Sequence, residues 1–154
     1  IENQKSDMKN LLLLFVAALV ACNMPSEKQT SLPLTGTWEL ISATSTEKDS
    51  TFSTFEPRNK MIKIITPTHF AFFNHDQKMG RDSTTAAFSG GGGTYTLKDS
   101  TYTEHLEYFN YREWEGHTFE FVVTIKNDTL TQRGVEKLEN LGIDRIIVEK
   151  YKRL

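Results

Sequence analysis

The sequence predicts an all-β fold: a single small antiparallel up-and-down β-barrel of about eight strands. Three observations predict it. From Leu34 onward, apolar and polar residues alternate with period two in short runs, the spacing of strands with one buried face. Turn-forming residues separate the runs, among them Pro67-Thr68, Asp99-Ser100 and Asn127-Asp128. No long stretch carries a helical period, and 154 residues suffice for one core but not for two.

The elements follow in order. A first strand is expected over residues 37–46, with Trp38, Leu40 and Ser42 on one face. A polar loop over 47–59 carries Phe52, Phe55 and Pro57. Residues 61–66 and 69–74 are the next two strands, joined at Pro67, which lacks a ladder donor and belongs at a turn. Residues 75–83 are charged and loop-like. Residues 84–88 read as a strand broken by the glycines 90–93, which permit a sharp bend or bulge. Residues 94–98 and 101–109 form one hairpin, and 118–126 and 129–133 another, whose Asn127 and Asp128 tolerate positive φ. Val135, Leu138 and Leu141 are spaced for a short helical turn within 134–142, and 143–151 closes the series. Such a meander closed on itself removes its exposed edges. An open β-sandwich satisfies the same spacing.

Alternation also assigns faces. Phe119, Phe121, Val123 and Ile125 share one face of their strand. Tyr102, Glu104, Leu106 and Tyr108 share the more apolar face of theirs. That places Glu104 inside among aromatics, where a carboxylate needs a hydrogen-bond partner, an ion pair or water.

The chain divides into three parts: upstream residues and a signal peptide over 1–21, an anchor and tether over 22–31, and the barrel over 32–154. Met8-Lys9-Asn10 precedes an apolar run over 11–21, and residues 1–7 precede the expected initiator Met8. Eleven apolar residues are too short for a membrane span, which takes roughly 20. A basic start, a short apolar run and small residues before a break describe a secretory signal. Leu19-Val20-Ala21-Cys22 resembles the lipobox of bacterial lipoproteins. The resemblance implies that Cys22 is acylated, that the chain is cut just before it, and that a lipid anchor holds the protein to a membrane of the cell envelope. Asn23 is not the inner-membrane retention aspartate of many Gram-negative lipoproteins, which points to the outer membrane. Cys22 is the single cysteine, so its lipidation leaves no disulfide and the fold stands on its core.

Gly36-Thr37-Trp38 with Leu40 resembles the Gly-x-Trp start of lipocalins and other calycins. The resemblance implies that Gly36 and Trp38 close one end of a lipocalin-like barrel and that a basic residue of the last strand packs on the indole. Within Glu149-Lys150-Tyr151-Lys152-Arg153, Arg153 is the choice. Gly93-Thr94-Tyr95-Thr96-Leu97 followed by Thr101-Tyr102-Thr103-Glu104 is similar to a hairpin of uncharacterised lipocalin-like lipoproteins of Bacteroidota. That similarity implies a fold more than a task.

The residues offer no catalytic constellation, so no enzyme is expected. The glycines 90–93 lack the Gly-Lys-Ser/Thr of a phosphate loop, and no serine sits in Gly-x-Ser-x-Gly. His69, His75, His105 and His117 lack metal-ligand spacing, and Asn74, Asp76, Gly80 and Asp82 lack that of a calcium loop. No metal and no cofactor are expected. With 18 basic and 20 acidic residues the chain has no field for nucleic acid.

Two readings of the aromatic wealth stay open. One is a filled core. The other is a lined cup for a small hydrophobic or amphipathic ligand, with Tyr102, Glu104, Tyr108, Phe119, Phe121 and Gln132 as binding residues. A rival to ligand binding is a protein-interaction module whose working surface is Tyr111, Arg112 and Trp114, residue types enriched at hot spots. Asp49, Asp82, Asp99 and Asp128, each followed by Ser or Thr, resemble the O-glycosylation acceptors of Bacteroidota and are equally ordinary turn sequences.

Overall fold

The computed structural model describes residues 32–154, so the expected signal peptide, Cys22 and tether lie outside the described residues. Nine strands make one antiparallel sheet: β1 (Gly36–Glu47), β2 (Ser50–Ser53), β3 (Asn59–Ile65), β4 (His69–Asp76), β5 (Phe88–Lys98), β6 (Thr101–Phe109), β7 (Thr118–Lys126), β8 (Thr129–Leu138) and β9 (Ile143–Arg153). Each pairs with the next except that β2 pairs only with β1, which itself pairs with β3, and β1 also pairs with β9. That last ladder closes an eight-stranded barrel of the lipocalin-like kind, with β2 as a short flap on β1. The open sandwich is thereby excluded. Among the described residues, the strands and the buried core cluster together make one closed barrel.

Several boundaries differ from expectation, each for a local reason. The loop after β1 contains β2, because Lys48 takes positive φ and turns the chain back on itself. Residues 84–87 are loop, not strand. The four glycines continue β5 without a break, and the irregularity they permit is a bulge between Gly92 and Gly93 opposite β6. A second bulge between Leu40 and Ser42 turns Ala43 and Ser45 inward in place of Ser42. Residues 134–138 extend β8, and only Glu139–Leu141 form a 3-10 turn, ended by Gly142 at positive φ.

The two ends of the barrel are built differently. At one end lie the tight turns after β3, β5 and β7 and the lead-in to β1. There Trp38, Ile65, Tyr102, Val123, Leu130 and Tyr151 fill the interior completely. Trp38 donates its indole N–H to Leu34 O (2.8 Å), and the Arg153 guanidinium lies 4.0 Å from the indole centre. The same guanidinium donates to Thr35 O (3.0 Å) and Pro33 O (2.7 Å), tying the lead-in across the base. Gly36 stands where a Cβ would strike that guanidinium. At the other end the longer connections leave the barrel unfilled.

Candidate functional site

The site begins at a polar layer halfway up the barrel. Lys63 of β3, Glu104 of β6 and Gln132 of β8 all point inward, at 3, 7 and 2% exposure. Lys63 Nζ donates to Glu104 Oε1 (2.7 Å) and to Gln132 Oε1 (2.9 Å), and the rings of Phe70, Tyr102 and Tyr151 surround it at 5.4–5.8 Å. A buried ammonium is tolerated only when paired in this way. Because an ammonium has donors and no acceptor, the Gln132 amide must turn its oxygen to Lys63. Its NH2 group then borders the cavity above, with no partner among the described residues.

Above this floor is a cavity of about 490 Å³, within the range of small-molecule sites. One wall is aromatic and aliphatic. Phe72, Leu106, Phe109, Trp114 and Phe119 contribute, with Phe109 edge-on to Phe72 (5.3 Å), Tyr111 (5.1 Å) and Trp114 (6.3 Å). The opposite wall comes from β8 and β9: Glu136, Arg145, Ile147, Glu149 and Tyr151. Arg145 donates through Nε (2.7 Å) and lies 2.6 Å through Nη2 from the same Glu136 oxygen, while its guanidinium stands 5.7 Å from the Trp114 ring. Burial outweighs this pairing and raises the Glu136 carboxyl above its ordinary range. Tyr151 donates to Glu149 Oε2 (2.6 Å), and burial, then that carboxylate, holds its phenol well above the ordinary range.

A smaller chamber of about 230 Å³ adjoins the first on the β1–β3 side, and Met61, Glu136, Arg145, Ile147 and Glu149 line both. The fully buried Ser45 lines it with a hydroxyl that has no partner among the described residues.

Of the residues expected to bind ligand, Glu104, Phe119, Phe121 and Gln132 line the larger cavity. Tyr102 does not. It lies below the floor, fully buried, its phenol raised above the ordinary range by burial and then by the Glu104 charge. Tyr108 is a correction. The β5–β6 bulge leaves Glu107 unpaired, so Tyr108 turns outward at 67% exposure and Phe109 takes the inward place. Tyr111 and Trp114, expected on a working surface, line the cavity mouth from the 3-10 turn Arg112–Trp114, while Arg112 is exposed and pairs with Glu115 (2.9 Å). Lys63, Glu136, Arg145 and Glu149 went unrecognised in the sequence. Lys63 did carry a signal: it shares a strand face with Met61 and Ile65 in an otherwise apolar run. Among the described residues no group of three or more His, Asp or Glu side chains is arranged to hold a metal. Asp76 instead accepts from Gly80 N (3.0 Å) and Ala87 N (3.2 Å), bracing the β4–β5 loop. No protein-family model matches the chain, and no curated protein matches it in sequence.

Proposed function

We propose that the protein is an envelope lipoprotein, anchored through Cys22, whose barrel binds one small amphipathic molecule without transforming it. The observation that carries the reading is the half-filled interior. An apolar, ring-lined cup stands over a floor whose buried Gln132 amide offers unused donors. Pockets of this size, apolar with a few fixed polar groups, are the usual form of small-molecule sites. A barrel serving only as a scaffold gains nothing from an unfilled half, since each unfilled volume forfeits packing. The interaction-module reading loses its centre here, because Trp114 is packed against Phe119 (5.9 Å) and Phe109.

Two experiments test the two halves of the proposal. Native mass spectrometry of residues 23–154, incubated with an envelope lipid extract, is expected to show a one-to-one adduct; a clean apo mass would overturn the binder reading. For the anchor, Cys22→Ala is expected to move the protein from the membrane fraction to the soluble one. Unchanged membrane association would sink that part alone.

A further inference from the structure

Resting on the reading of the cup as a binding site, we infer that its ligand presents a cationic or neutral polar group, and that a fatty-acid carboxylate is disfavoured. Charge along the cavity wall favours such a group. Five ionisable side chains with formal charge line it: the cations Lys63 and Arg145 and the carboxylates Glu104, Glu136 and Glu149. Lys63 pairs with Glu104 at 2.7 Å, and Arg145 with Glu136 at 2.6 Å. Both cations are thus engaged one-to-one. Glu149 is left over: its Oε2 accepts the Tyr151 hydroxyl, and no cation lies within ion-pair distance of it among the described residues.

Glu149 is also placed to meet a ligand. It lines both chambers, at the seam between the aromatic cup and the smaller one beneath β1. In the β8–β9 ladder it is the direct partner of Gln132, so the two side chains rise next to each other from the same wall. They share no hydrogen bond. The wall therefore presents a carboxylate with a free oxygen beside an amide with free donors. In the smaller chamber that Glu149 also lines, the fully buried Ser45 hydroxyl lacks a partner among the described residues. Polar atoms without partners at one seam are the groups a bound molecule would satisfy. An ammonium fits Glu149, and an adjacent hydroxyl or carbonyl oxygen fits the Gln132 amide. A carboxylate would add a fourth negative group to a wall with two cations already neutralised, in a site where low dielectric strengthens repulsion. The aromatic wall of Phe72, Phe109 and Phe119 suits the remaining apolar part, and ring faces favour a nearby cation.

The test uses three probes with one chain length: decylamine, decanol and decanoate, titrated calorimetrically at neutral pH into residues 23–154. Decylamine is expected to bind at least tenfold more tightly than decanoate. Glu149→Gln, which keeps the size of the side chain and an oxygen to accept the Tyr151 hydroxyl, is expected to remove most of that preference while leaving decanol uptake unchanged. Equal or tighter binding of decanoate, or an undiminished amine preference in Glu149→Gln, would overturn the inference and leave the cup reading standing on decanol uptake. Uptake of none of the three would overturn both.

Discussion

At the scale of single residues, the molecule depends on two buried arrangements, each testable by removing one member. The Lys63 ammonium sits among three rings with only Glu104 and Gln132 to satisfy it. Lys63→Met strands the Glu104 carboxylate and is expected to cost about 3–5 kcal/mol in denaturant unfolding, whereas the double variant with Glu104→Gln should recover much of that loss. A double change as damaging as the single one would show that the pair is not the reason. At the base, Trp38→Ala removes the indole that Arg153 covers and that holds Leu34 O, and is expected to cost about 3–5 kcal/mol. These two sites differ in how legible they were. Trp38 announces itself through Gly36-Thr37-Trp38, a local pattern. Glu104 was readable as an inward carboxylate from alternation within its strand, but its cation lies 41 positions earlier, and only the barrel's closure brings them together.

At the scale of elements, register decides what faces the cup. The β5–β6 bulge turns Tyr108 out and Phe109 in, and it exists because Gly93 lets the two backbones approach. A Cβ on Gly93 would collide with the His105 carbonyl oxygen, whereas one on Gly90 would meet the Phe73 ring at 3.2 Å and the Phe72 carbonyl oxygen at 3.4 Å. Gly93→Ala is therefore expected to destabilise the barrel by more than about 3 kcal/mol in thermal or denaturant unfolding, and Gly90→Ala by much less. A one-residue slip inverts every side chain beyond it, which is why the alternation in β6 pointed correctly up to Leu106 and failed at Tyr108. The β4–β5 loop carries a pH signature. The Thr84 hydroxyl, then Lys78, hold the Asp82 carboxyl down at about 2 from the usual 3.8, and the Gly80 N–H lowers Asp76. Depressed acids contribute stability above their unfolded value and lose it as pH falls through the folded one. The Gly80 and Ala87 amide signals are accordingly expected to hold through the ordinary carboxylate range and to shift or broaden only at more acidic pH, as Asp76 takes up its proton; amides that change within the ordinary carboxylate range, or never on acidification, would contradict the bracing role.

At the scale of the whole molecule, the barrel is two structures in one tube: a packed base and an open cup, divided by the Lys63–Glu104–Gln132 layer. Composition and alternation reached the closed meander but not this division, since filled core and lined cup ask for the same apolar faces. What separates them is volume, and volume depends on how eight strands tilt around one axis. The measurement that tests the division most directly is uptake of an environment-sensitive apolar fluorophore by residues 23–154, compared with Met61→Trp, which places an indole where both chambers meet. One-to-one uptake is expected for the unaltered chain, and its loss in a folded Met61→Trp variant. Equal uptake by both, or none by either, would contradict a binding cup in this barrel.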